Sequence, residues 1–182
     1  TDGVFSGSQD TYAEDAPHDC VDVYGKTKSL GEVPSPEVLT VRCSIVGPDP
    51  AGHRGLLEWF QGLPDGKEVT GYTTSLWNGV TTLQFAEVCR RIIEGGHFAA
   101  LRDEAPAHHF CPNPPLSKYE LLGLFNSTFG RRVKITPGAG PQGPVRRVLV
   151  TRYRRLREIY GPVEDIALAV QELAEEMRRS AP

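Results

Sequence analysis

The run Val38–Val46, V-L-T-V-R-C-S-I-V, constrains the fold more than any other segment. It is almost continuously apolar and stops at Gly47-Pro48-Asp49-Pro50. A strand with one wet face alternates polar and apolar residues, whereas a strand covered on both faces does not. The run therefore predicts a buried strand of a parallel sheet. Parallel neighbours need crossover connections, usually helices, so the chain reads as α/β.

The flanking segments supply those helices. Val21–Gly31 places Val23, Thr27 and Leu30 on one face, and Pro34 and Pro36 close it. His53–Gln61 predicts a short amphipathic helix, Pro64-Asp65-Gly66 a turn, and Val69–Trp77 a short strand and loop. Thr81 or Thr82 caps a helix running to Glu94, which Gly95-Gly96 ends. His108–Cys111 predicts a strand. Ser117 followed by Glu120 forms a capping box for a helix that ends at Gly130. Val133–Ile135 is a short strand, Pro137–Pro144 a connection, and Val163–Arg179 a final amphipathic helix. Thr1–Phe5 reads as the end of a strand, and polar Gln9–Asp19 as a loop.

The 182 residues are 39% hydrophobic, enough to fill the core of one domain, or of a domain plus a lobe. No apolar run approaches the roughly 20 residues of a membrane span. Twenty basic residues against 23 acidic give a net charge of −3, which argues against a nucleic-acid partner. Cys20, Cys43, Cys89 and Cys111 contain no C-x-x-C pair and read as reduced thiols of a cytoplasmic protein. Adjacent His108 and His109 point to opposite faces of a strand, so no metal site is expected. The chain opens on Thr1 and its one methionine is Met177, which suggests processing or a piece of something longer.

Chemistry concentrates near the start. Tyr24 and Lys28 lie at i and i+4, one helical turn apart on the same face. An ammonium beside a phenol favours the phenolate, and a phenol so placed can protonate a carbonyl oxygen as hydride arrives. A hydroxyl from a neighbouring element, here Thr1, could hold that oxygen.

The order T-D-G-V-F-S-G, a polar loop, D-V-Y-G-K-T-K-S-L-G-E and a buried strand ending R-C-S-I-V-G-P resembles the extended short-chain dehydrogenases/reductases. Within them it is most similar to the dTDP-4-dehydrorhamnose reductase branch of nucleotide-sugar enzymes. G-Y-T-T-S-L-W-N-G-V-T-T-L-Q-F-A is similar to that branch's substrate loop and following helix, and L-S-K-Y-E-L-L to its C-terminal lobe. The resemblance implies the C-terminal half of a Rossmann-like doubly wound parallel sheet plus a small α/β substrate-binding lobe. Residues 1–50 and 76–97 would form the Rossmann part, and 51–75 and 98–182 the lobe with its helices.

It also implies roles. Tyr24 would be the catalytic acid, assisted by Lys28, which would bind the nicotinamide ribose of NAD or NADP. Thr1 would orient the substrate carbonyl. Cys43, Ser44, Ile45 and Val46 would pass beside the nicotinamide. Asp2, Val4, Phe5, Trp77, Asn78, Thr81, Arg146 and Arg152 would face the sugar nucleotide. The implied activity is reduction of a nucleotide-linked 4-keto-6-deoxysugar in deoxysugar biosynthesis. Gly3 stands where many reductases of this branch carry a tyrosine, which leaves the sugar open. The family's G-x-x-G-x-x-G turn is absent, and Gly138-Ala139-Gly140-Pro141 is a loop rather than its replacement. The expected partner is therefore the missing N-terminal Rossmann half or a second chain, and a homodimer is a further option. A non-catalytic nucleotide-sugar-binding or regulatory subunit, and an epimerase, remain the alternatives.

Overall fold

A computed structural model describes residues 1–49, 55–162 and 165–180. His53 and the start of the helix expected at Val163 lie outside them. Short parallel ladders wrapped by helices form the scaffold.

The apolar run Val38–Val46 is divided. Strand β1 (Thr40–Arg42) pairs in parallel with β6 (Ala107–His109), and β2 (Ile45–Val46) pairs in parallel with β5 (Val80–Thr81). The division falls at Cys43 and Ser44, where the ladder partners change. The Cys43 carbonyl accepts from Asp2 N–H at 3.2 Å, and the Ser44 carbonyl accepts from Val80 N–H at 2.8 Å. Thr1–Phe5 is not a strand end. Asp2–Val4 forms a 3-10 turn because the Thr1 hydroxyl caps it, accepting from Gly3 N–H. Among the described residues, β1 has a strand on one edge only.

Helix α1 (Val23–Leu30) is capped by Asp22. Helix α2 (Leu56–Gln61) precedes β3 (Glu68–Tyr72) and β4 (Ser75–Trp77). Both capping boxes are present: Thr81 with Gln84 starts α3 (Thr82–Glu94), and Ser117 with Glu120 starts α5 (Lys118–Thr128). Gly96, at φ 65°, turns the chain into α4 (Phe98–Glu104), a helix the sequence pattern did not reveal. Strand β8 (Lys134–Gly138) runs through Pro137 and pairs with β3, where one open edge tolerates the missing N–H. Strand β4 lies between antiparallel β7 (Leu116–Ser117) and parallel β9 (Val145–Arg147). Helices α6 (Arg155–Tyr160) and α7 (Ile166–Arg179) complete the chain.

Burial follows this layout. Phe60, Leu121, Phe125, Val170 and Leu173 join α2, α5 and α7 in one cluster. Val80, Val88, Leu101, Phe110 and Leu156 form a second under α3 and α6. Val4, Phe5 and Tyr12 pack with Leu149 beneath the N-terminal turn. No described helix is long and apolar enough to cross a membrane.

Candidate active site

The N-terminal turn is fixed by short-range chemistry. Thr1 Oγ1 accepts from Gly3 N–H at 3.2 Å and donates to Asp2 Oδ1 at 3.4 Å. Cys20 N–H donates to the Val4 carbonyl at 3.2 Å, which ties the turn to the approach of α1. Gly25 is the one buried residue of α1. A Cβ built there would stand 2.4 Å from Gly3 O and 2.5 Å from Cys20 Cβ. The missing side chain therefore sets how closely the helix approaches the turn.

That approach brings Tyr24 over Gly3. A Cβ on Gly3 would lie 2.8 Å from Tyr24 Cε1 and 3.4 Å from Thr1 Oγ1. One turn further, Lys28 Nζ sits 5.5 Å from the Tyr24 ring centroid. Tyr24 is 57% exposed, so its phenol faces solvent rather than core. Thr1, Tyr24 and Lys28 are thus neighbours, and the space a larger residue at position 3 would need belongs to the Tyr24 ring.

Beside the turn lies a cleft of about 320 Å³. Asp2, Ser44 and Trp77 line it, as do Tyr72, Lys118 and Arg147. Asp2 is buried, which raises its carboxyl above the usual range, while the charges of Arg147 and Lys118 and a Ser44 hydrogen bond pull it back. Burial lowers Lys118, and Asp2 opposes that shift. Lys118 Nζ stands 5.7 Å from the Trp77 ring centroid. Beyond Tyr72 and Lys118 the cleft opens into a recess of about 670 Å³ lined by Leu56, Trp59, Val69 and Leu122.

Several residues expected at the site have other work. Val4 and Phe5 are fully buried, and Phe5 stacks on Tyr12 with centroids 4.4 Å apart. Asn78 holds Leu149, donating to its carbonyl at 2.8 Å and accepting from its N–H at 2.9 Å. Thr81 is spent as the cap of α3. Cys43 is buried, and burial pushes its thiol up to about 12. Val46 belongs to the core, whereas Ile45 is 45% exposed. Arg146 pairs with Asp10 and Arg152 with Asp15, both on the surface. His108 and His109 use opposite sides: His108 Nε2 meets the Leu101 carbonyl and His109 Nδ1 the Val150 carbonyl, each at 2.9 Å.

Tyr72 and Lys118 are among the cleft residues that sequence reading did not single out, and Arg147 lies in the basic segment Arg146–Arg155 expected to face the sugar nucleotide, although Arg146 and Arg152 were the residues named from it. Side chains alternate along a strand, so of Arg146 and Arg147 only one faces inward. The alternation could have been phased only by recognising β9 as a strand. Lys118 follows the Ser117 cap, whose motif was legible although its direction was not.

No protein-family model matches the chain, and no curated protein matches it. Solved structures do. A dTDP-4-dehydrorhamnose reductase from Clostridium acetobutylicum ATCC 824 superposes with TM-score 0.70 at 17% identity, over 97% of this chain and 64% of that one. The Bacillus anthracis dTDP-4-dehydrorhamnose reductase, solved with NADP, gives 0.71 at 14% identity over 96% and 63%. The dTDP-glucose 4,6-dehydratase of Streptomyces venezuelae, solved with NAD, gives 0.67 at 17% identity over 98% and 58%. The chain therefore spans less than two thirds of each of these relatives, and across that span it has the Rossmann-like α/β fold of nucleotide-sugar reductases and dehydratases.

Proposed function

We propose that the chain is the catalytic and substrate-binding part of an NAD(P)-dependent reductase acting on a nucleotide-linked 4-keto-6-deoxysugar in the cytoplasm. The observation that carries this reading is the convergence of Thr1 Oγ1 and the Tyr24 ring on Gly3, with Lys28 one turn away, beside the cleft of Asp2, Ser44 and Trp77.

The surroundings of Tyr24 suit a nicotinamide nucleotide. Lys28 forms no ion pair among the described residues, which leaves its ammonium for a ribose diol. Exposed Ile45, next to Ser44, offers an apolar surface for a flat ring. Bound there, the nicotinamide would supply a hydride to the carbonyl carbon. Thr1 then orients the carbonyl oxygen, and the Tyr24 phenol delivers a proton to it as charge develops, so that the ketone becomes an alcohol. Lys28 keeps the phenol's environment positive as that proton leaves.

The pyrophosphate of such a cofactor rests on a Gly-rich turn at a helix N-terminus, which this sequence does not contain. We infer that an N-terminal Rossmann half, or a partner chain, supplies it. Its seat is the open edge of β1 and the outward side of α1, where Val23 and Leu30 are 79% and 85% exposed, together with Val21 just before the helix, 83% exposed. Residues 1–50 and 76–97 would then extend that half, with 51–75 and 98–182 as the substrate lobe.

The test is Tyr24→Phe in the full-length protein, assayed with NADPH or NADH and dTDP-4-keto-6-deoxyglucose. Removal of a general acid lowers kcat by about 10²–10⁴ and leaves substrate binding nearly intact. A kcat within about twofold of the parent would remove Tyr24 as the acid, and a parent that binds the nucleotide sugar without turning it over would favour the non-catalytic binding subunit instead.

A further inference from the structure

The inner cleft has a composition that the hydride-transfer chemistry does not use. Trp77, the last residue of β4, lies opposite Arg147 on one side and Leu116 on the other. The same end of this sheet therefore presents Arg147 from β9 and, two residues beyond Leu116, Lys118 from the first turn of α5. Both cations line one cleft with the buried carboxylate of Asp2, one residue from Thr1, and their charges act on it. Arg147 Nε is shut off from solvent and has no hydrogen-bond partner among the described residues. A buried N–H left unpaired loses its hydration and gains nothing in return, so its retention points to a group that arrives with a ligand.

We propose that Asp2, Arg147 and Lys118 read the sugar hydroxyl next to the reacting carbonyl. The inference rests on the reductase reading and refines it. A hydroxyl donates one hydrogen bond and accepts two, so it can donate to the Asp2 carboxylate while accepting from the Arg147 guanidinium and the Lys118 ammonium. A phosphate or carboxylate in the same place would meet the Asp2 charge directly. In a 4-keto-6-deoxysugar the carbons beside the carbonyl are C3, which carries a hydroxyl, and C5, which does not. The group read is therefore the C3 hydroxyl. The substrate class narrows to sugars that retain it, and 3-deoxy sugars are rejected because the site's own polar groups would stay unpaired. The cleft of about 320 Å³ admits one sugar ring, and the wider recess past Lys118 leaves the nucleotide outside the reading site.

The experiment is calorimetric titration of the full-length protein with dTDP, dTDP-glucose and dTDP-3-deoxyglucose. The expected result is that dTDP-glucose binds at least about tenfold tighter than the 3-deoxy form. Asp2→Asn and Arg147→Met should each shrink that preference to within about twofold while changing dTDP affinity by no more than about twofold. Should Arg147→Met fail to fold, Arg147→Lys keeps the charge, removes the fork and should still lower the preference. Equal binding of the two sugars by the unmodified protein overturns the inference. So does an equal loss of dTDP and dTDP-glucose binding in the variants, which would assign the cations to the diphosphate. If neither dTDP nor dTDP-glucose binds the unmodified protein, the nucleotide-sugar reading fails and the inference falls with it.

Discussion

Replacing Gly25 with alanine tests how α1 is seated. The new Cβ would lie 2.4 Å from the Gly3 carbonyl oxygen, and ordinary contact begins near 3.4 Å, so about 1 Å has to be found. Neither partner yields cheaply, since one is backbone and the other is Cβ of Cys20. Overpacking of this kind costs about 1–3 kcal/mol, against which alanine's helix preference over glycine returns about 1 kcal/mol. The net expectation is a loss of up to about 2 kcal/mol, or a Tm lower by up to about 4–8 °C for a chain of this size. Gly123 is the internal control. It lies in α5, is exposed, and a Cβ there meets nothing within 4 Å. Gly123→Ala should therefore raise Tm by about 2–4 °C. Tyr24 rides on α1, so under the proposed reductase reading the 1 Å retreat should also lower kcat by about 10²-fold. Differential scanning calorimetry of both variants, with steady-state rates, is the assay. If Gly25→Ala stabilises as much as Gly123→Ala and keeps its rate, the close approach of α1 to the turn is not what holds Tyr24 in place.

Other outcomes follow from the same contacts. Lys28→Met should lower kcat and raise the KM for the nicotinamide nucleotide, with Tm unchanged because the side chain is exposed; initial-rate kinetics against varied cofactor read both. Arg42 donates to Glu32 from Nε at 2.9 and 3.1 Å and from Nη2 at 2.7 Å. Burial raises the Glu32 carboxyl, but these hydrogen bonds and the Arg42 charge outweigh it and hold it below the usual range. A carboxyl lowered by folding stabilises above its unfolded range and stops doing so as pH falls toward its folded value. Glu32→Gln should thus cost about 2–3 kcal/mol at pH 7, and the gap to the parent should close on acidification, as read by urea titrations across pH. Ser117→Ala removes the cap of α5 and should cost about 1 kcal/mol in the same titrations.

Signals written within a few residues were legible in the sequence. Ser117 with Glu120 and Thr81 set helix starts, Tyr24 and Lys28 set a helical pair, and the apolar run Val38–Val46 set the class of fold. What could not be read depends on contacts between distant segments. Nothing local in V-L-T-V-R-C-S-I-V announces that its partner changes at Cys43, because the change is made by Asp2 and Val80. Thr1–Phe5 has the β-branched and aromatic content of a strand, yet the Thr1 hydroxyl and Gly3 favour a capped turn. The two arginines most visible in the charge pattern, Arg146 and Arg152, found acidic partners on the surface. The inward one, Arg147, is distinguished only by the phase of a strand that pairs far along the chain.

Helix α1 buries a single glycine while Val23 and Leu30 face outward. Amide hydrogens of such a segment exchange by local opening well below the free energy of global unfolding. The pair Tyr24 and Lys28 is thus carried on a helix with little anchoring of its own, and local opening of that helix would withdraw the phenol from Thr1. Any polypeptide that covers the outer side of α1 shifts that equilibrium toward the seated state without touching the cleft. Coverage of this helix would therefore act as an activator of turnover, and slowed exchange across Val23–Leu30 would report it before any product forms.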